Sequence, residues 1–471
     1  QHPARSAIPI AGANIWGNKV LHYQGHDATA QKTDNIISIP ANADAMTQSP
    51  GLEKIRVTGG KTINGTIRIS GAKNSCLPLM ASSILFDDTI ILKNVPFVDD
   101  VRTMVVLLQS LGSKVETSEK KKMIKITNKK KHKLIVPYKL VSKMRAGVLT
   151  MGALLGKYRS CSVSKPGGCS LGPRDYGWHL KGFKKLGATY NLRGGYINLS
   201  VKKELSGNVY KFPKVTVTGT SNLIMSSVFA KGVTTLKNVS IEPEVIDLIN
   251  FLKKAGAQIK FVGKRTLKIY GVNKLFGCSH EIIGDRIEAF SYLCVAAISN
   301  GSIKVKKVNP THLSSELKVL KKMGCNIKIK SSSVELNSKK KLKSVKVNTA
   351  PYSGFATDNM PSLMAVMTKA EGISEIYENV FGSYRFQAAP ELARMGASIS
   401  IKNNRAIIFG KEKLYGAECI CSDLRTTFSI ILGAIVASGI SKINRVYHGL
   451  RGYYKLDKKL KKIGVNIKRI T

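Results

Sequence analysis

The sequence predicts an α/β (α+β) protein of two lobes, built from six repeated βαβαββ units with helices inside a ring of small sheets. Three observations carry this. A helix that ends in a hydrophobic residue, Gly, a small residue, any residue and usually an aliphatic one recurs six times, with the glycine at 112, 187, 256, 324, 396 and 464. The separations of 75, 69, 68, 72 and 68 residues are too long for a common solenoid. Between these markers run small-residue helices without a polar face, such as 363–370 and 430–437. Such helices must be buried, and one unit cannot bury its own. Six units therefore pack as two groups of three.

Residues 1–45 mix His, Asn, Gln, Ala and Pro without sustained periodicity and read as a flexible extension or processed leader. Patterned sequence begins after Met46, and the first unit starts near residue 54. In each unit the glycine closes a helix in a left-handed cap and launches a strand. The basic FKKLG and LKKMG helices are amphipathic and lie outside. Strands follow the apolar helices at 373–377 and 440–443. Residues 120–133 interleave lysines with Met123, Ile124 and Ile126, which reads as a solvated hairpin. Residues 164–179, SKPGGCSLGPRDYGWH, carry too many glycines and prolines for a helix or a ladder strand. That loop places a thiol, Cys169, five residues before Arg174. A guanidinium lowers a thiol pKa, and such a thiol can protonate or attack carbon.

The net charge of +46 suggests a nucleic-acid binder. Yet 17 of the 75 basic residues are arginine and the other 58 are lysines spread along the chain, with few aromatics beside the densest cluster. A lysine-biased surface is the simpler reading, and it would draw in polyanionic small substrates. The eight cysteines include one close pair, Cys419 and Cys421, and no paired metal-ligand spacing. This points to a reducing, cytoplasmic setting with no structural disulfide and no metal. No run of about 18 apolar residues predicts a membrane span.

Longer motifs add to this. GGKTINGTIRISGAKNSCLPLMASSIL (59–85), MRAG (144–147), PGGCSLGPRDYGWHLKGFKKLGA (166–188), EPEVIDLINFLKKAGA (242–257), PELARMGA (390–397), SDLRTTFS (422–429) and YHGLRGYYKLDKKLKKIG (447–464) resemble the enolpyruvyl transferase family over roughly residues 52–470. The resemblance implies a two-lobed inside-out α/β barrel. Residues 46–72 plus 285–471 would form the first lobe and 73–284 the second. The implied reaction moves enolpyruvate from phosphoenolpyruvate to the 3′-hydroxyl of UDP-N-acetylglucosamine, the first committed step of peptidoglycan synthesis. It needs no cofactor and implies a monomer without membrane or nucleic-acid partners. The PGGC loop separates this branch from the one that uses shikimate 3-phosphate.

The resemblance also assigns roles. Lys73 and Asn74, in the GAKN turn, match residues at the phosphoenolpyruvate and sugar end of the cleft. Arg145 matches the arginine of the MRA motif. Cys169 matches the proton donor to the enolpyruvyl methylene, and Arg174 a phosphate-binding arginine. Trp178 and His179 fall where the family packs the uracil, preceded by Asp175, Tyr176 and Gly177. Lys214, Val215, Thr216 and Val217 match a segment along the diphosphate and uridine. Asp358 matches the carboxylate at the sugar hydroxyl and is the candidate base. Val380 lies near the N-acetyl side. Arg385, Asp423, Arg425 and Arg451 match charged residues of the other lobe, with Arg451, Lys73, Cys169 and Asp358 as the catalytic set.

Three positions depart from the family pattern: Asp175, Met360 and the extra residue in FGSYRF at 381–386. All fall on the substrate side. A catalytically weakened nucleotide-sugar binder and a nucleic-acid-binding protein are the alternatives these features leave.

Overall fold

The computed structural model describes residues 54–129, 131–142, 144–165 and 176–470. Six four-stranded sheets share one strand order. In the first, Ser279–Glu281 runs parallel to Ile90–Lys93, which is antiparallel to Met123–Thr127, which pairs in turn with Lys114–Ser118. The hairpin expected over 120–133 lies earlier, pairing Lys114–Ser118 with Met123–Thr127, and buried His132 falls outside it. Ile124 and Ile126 are fully buried, and Lys125 between them is half-buried. All six marker glycines adopt φ between 94° and 112°, a region that costs a side chain energy and glycine nothing. The recurring glycine is therefore a geometric necessity of the helix-to-strand turn.

The inner helices are the apolar ones. Lys73–Ser82, Thr150–Tyr158 and Val217–Ser227 line one core. Arg286–Ile298, Met360–Met367 and Leu424–Val436 line the other. The helix expected at 363–370 runs three residues earlier. Pro361 suits its first turn, and Ala370 pairs instead with Leu342 in a short parallel ladder. The first core draws on residues 76–282 and the second on 55–69 and 289–467. Tyr454 reaches from the second stretch into the first core.

The second core is closed by strands from the N-terminal end of the described chain. Lys54–Thr58 inserts between Ile440–Asn444 and Asn466–Ile470, and Asn64–Arg68 lies parallel to Ser302–Lys306. The chain crosses between the cores twice, side by side, where Gly71 and Gly284 form an antiparallel bridge. A Cβ on Gly71 would lie 1.9 Å from the Asn94 carbonyl oxygen, so this crossing admits no larger residue. Among the described residues no helix is long and apolar enough to cross a membrane.

Buried His132 ties the first cap to an inner helix. Its Nε2 lies 2.9 Å from Ser113 Oγ and its Nδ1 2.7 Å from Tyr158 Oη. Burial, helped by Lys157, lowers its pKa to about 4. The unfolded chain, with an ordinary histidine pKa near 6.5, then takes up this proton first. His132 thus contributes stability that is complete above about pH 6.5 and is lost as pH falls towards 4. Urea midpoints measured from pH 7.5 to 4.5 should fall less steeply in His132→Gln than in the parent chain.

Candidate active site

Lys73, Asp358, Asp423 and Arg425, among the charged residues that the sequence nominates, lie at or just before the starts of inner helices. Asp358 sits in a single turn, Thr357–Asn359, that leads into Met360–Met367. Arg385 donates from Nη2 to its Oδ1 at 2.7 Å. Arg425 donates to its Oδ2 from Nε at 3.2 Å and from Nη2 at 2.9 Å. Both guanidiniums are almost fully buried, while the Asp358 side chain keeps 27% of its surface exposed. Burial alone would raise the pKa of this carboxyl. Arg425, Arg385 and, at longer range, Lys73 outweigh it and hold Asp358 far below the usual carboxylate range. Met360, one of the departures, is fully buried at the helix start, two residues beyond this pairing.

A second knot lies across the two cores. Lys73 is not in a turn: it is the first residue of Lys73–Ser82, and it is buried. Its Nζ donates to Asp100 Oδ2 at 3.0 Å. Arg451, from the other core, donates from Nε to Asp100 Oδ1 at 2.9 Å. Burial opposes the Asp100 charge, but Lys73 and Arg451 prevail and its pKa falls. Asn74 is the one exposed residue in the first turn of its helix. Neighbouring Ser75 donates to Asp247, whose other oxygen lies 2.8 Å from His280 Nε2. That network fixes the helix start which presents Lys73 and Asn74.

The remaining nominated residues separate into groups. Trp178 lies in the helix Gly177–Lys185, which packs on Val217–Ser227. Tyr176, Gly177 and Trp178 are half-buried. His179 is buried, with Nδ1 3.0 Å from Asn222 Nδ2. Asn222 also binds the Val148 carbonyl and the Gly152 amide, so Asn222 ties His179 to the segment around 148–152. Lys214 is exposed and Val215 half-buried, Thr216 caps the helix with Oγ1 accepting from Gly219 N at 3.2 Å, and Val217 is exposed. Arg145 opens the turn Arg145–Leu149 and is half-buried. Asp423 is the N-cap of Leu424–Val436, accepting from the amides of Arg425 and Thr426 and from the Thr426 hydroxyl. Its carboxylate is engaged by its own helix and sets the direction of Arg425. Cys169, Arg174 and Asp175 lie outside the described residues.

Sequence reading missed Asp100 and Glu378. Fully buried Glu378 accepts from Val380 N and Phe381 N, both at 2.9 Å, and from Thr357 Oγ1 at 3.0 Å. It joins the segment carrying Val380 and Arg385 to the turn carrying Asp358. Within that segment Gly382 adopts φ 62°, and Arg385 reaches Asp358. A signal existed for Asp100: an acidic pair opens the helix Asp99–Leu111, where the helix dipole favours it. Nothing local marks Glu378.

The sequence profile of the EPSP synthase (3-phosphoshikimate 1-carboxyvinyltransferase) family matches residues 57–460. A UDP-N-acetylglucosamine 1-carboxyvinyltransferase of Pelagibacter ubique is 45% identical over 420 residues, which span 89% of this chain and all of that protein. The Acinetobacter baylyi protein of the same description is 40% identical over 421 residues, again 89% of this chain and all of the relative. Among solved structures, the enolpyruvyl transferase NikO from Streptomyces tendae superposes with a TM-score of 0.80 at 22% identity, covering 89% of this chain and 99% of that one. An EPSP synthase from Acinetobacter baumannii superposes with a TM-score of 0.70 at 19% identity, covering 89% of this chain and 100% of that one. The chain belongs to the EPSP synthase family of enolpyruvyl transferases, within which it groups with the UDP-N-acetylglucosamine 1-carboxyvinyltransferases.

Proposed function

We propose that this chain transfers the enolpyruvyl group of phosphoenolpyruvate to the 3′-hydroxyl of UDP-N-acetylglucosamine, releasing phosphate, as a cytoplasmic monomer that commits the sugar to peptidoglycan synthesis. The observation that carries this reading is the 45% identity to a relative of that description, matched from end to end. The nucleotide sugar would lie along Lys214–Val217 and the start of the helix holding Trp178. Phosphoenolpyruvate would sit among Lys73, Arg145, Arg174, Arg385, Arg425 and Arg451. Guanidiniums pair with carboxylate and phosphate through two parallel bonds, which suits a substrate carrying both.

In the addition step the sugar oxygen bonds to C2 of phosphoenolpyruvate, the Cys169 thiol gives its proton to C3, and Asp358 takes the hydroxyl proton. Elimination returns a proton from C3 and expels phosphate. The geometry adds a condition to this scheme. With two guanidiniums on its oxygens, Asp358 is a poor base. The substrate's anionic groups compete for those same guanidiniums. Drawing them away raises the proton affinity of Asp358 when the sugar hydroxyl is in place. Asp100 holds Lys73 and Arg451 in the same provisional way.

The test is phosphate release from phosphoenolpyruvate, with and without UDP-N-acetylglucosamine, in the parent chain and in Cys169→Ala. Sugar-dependent release that Cys169→Ala abolishes is the expected result. Binding of the sugar without release would make the chain a nucleotide-sugar binder. Release with shikimate 3-phosphate instead would move it to the other branch of the family.

A further inference from the structure

The loop that precedes Asp358 is held by the opposite core. Residues 349–355 fold back on themselves: Ala350 N donates to Phe355 O at 3.0 Å and Gly354 N to Pro351 O at 2.9 Å. The tip residue, Tyr352, crosses to the other core. Its amide donates to Glu242 Oε1 at 3.3 Å, and its carbonyl accepts from Arg265 Nη2. Arg265 is itself fixed, donating from Nη1 to Val239 O at 3.0 Å. Glu242 is fixed through its other oxygen by the Ser240 hydroxyl. The Arg286 guanidinium lies 5.4 Å from the centre of the Tyr352 ring.

The base of the loop transmits this hold. Phe355 is buried against Phe290, with ring centroids 5.7 Å apart. Glu316 Oε1 accepts from Ala356 N at 3.0 Å and from Asn359 Nδ2 at 3.1 Å, bracketing Asp358. Two residues, Ala356 and Thr357, separate the Phe355 plug from Asp358. A shift of the tip therefore reaches the carboxylate through a short, packed segment.

We infer that Glu242 and Arg265 are positioning residues: they clamp the Tyr352 backbone across the two cores and so couple the placement of Asp358 to closure of one core on the other. Catalytic geometry is steep, and a misplacement of about 1 Å can cost a hundredfold in rate. The clamp grips backbone atoms, so its register does not depend on the side chain at the loop tip. The role in turnover rests on the proposed reaction; the clamp itself does not.

Arg265→Gln removes the carbonyl donor and Arg265→Lys returns a cation at the same place. Hydrogen exchange of the amides of residues 350–358 and steady-state phosphate release should be measured on both and on the parent chain. Expected in Arg265→Gln are faster exchange in that segment and a kcat lower by about 10- to 100-fold. KM for UDP-N-acetylglucosamine should stay within about twofold, and Arg265→Lys should recover part of kcat. Unchanged exchange would overturn the clamp, whatever happens to kcat. Faster exchange with unchanged kcat would overturn the positioning role. A parent chain that releases no phosphate would overturn the proposed reaction, and the exchange result would then decide the clamp alone.

Discussion

Asp358→Asn is expected to lower kcat by about 10²- to 10⁴-fold, the range by which a positioned general base accelerates proton transfer. The asparagine keeps the size of the side chain and removes both its charge and its proton affinity. It also leaves the buried guanidiniums of Arg385 and Arg425 without the carboxylate that both now share. Some loss of stability will accompany the loss of rate, so activity must be referred to folded protein. Calorimetric binding of UDP-N-acetylglucosamine separates the two effects. Retained binding with kcat down by this range supports Asp358 as the base. A fall of less than about tenfold would assign that proton to another group.

The largest effect on stability is expected at the junction of the cores. Arg286 opens an inner helix and forks onto Glu244, with Nε to Oε1 at 2.9 Å and Nη2 to Oε2 at 3.3 Å. Both residues are buried. Burial disfavours the guanidinium charge, yet Glu244, Glu316 and Glu242 together raise the Arg286 pKa. Arg286→Met would strand Glu244 as a buried charge. Removing one partner of such a pair costs about 3–5 kcal/mol. Urea unfolding should show that loss, and Arg286→Met with Glu244→Leu should regain much of it, because the stranded charge is gone. A double variant no better than the single would mean that packing, not charge, sets the cost.

The repeat was legible because its physics is local. A left-handed cap followed by a strand needs glycine at one position, so six glycines near a period of 70 residues disclose the six sheets. The arginines and Asp358 were legible only together, through longer motifs, since one arginine in a sequence carries no geometry. Lys73 was placed in a turn because Gly71 and Ala72 precede it; the helix starts there because Ser75 and Asp247 anchor its first turn. His179 was nominated only through the resemblance, which places it at the uracil. The face of its helix turns it inward to Asn222, a partner 43 residues away. Glu378 was illegible for the same reason: its partners are amides and a hydroxyl that only the folded chain brings near.

The strand Lys54–Thr58 has a consequence for how the protein is made. Its neighbours, Ile440–Asn444 and Asn466–Ile470, are synthesised long after it. At about 5–20 residues per second, the ribosome takes roughly 20–80 s to deliver them. Throughout that interval the early strand carries unsatisfied edge hydrogen bonds, an invitation to aberrant pairing. Apart from Tyr454, the core of residues 76–282 meets no such delay, because its last strand, Ser279–Glu281, returns to its own first one. One half of the molecule can mature while the other waits for residues 440–470, which makes the nascent strand Lys54–Thr58 the place where a holdase chaperone would do most good.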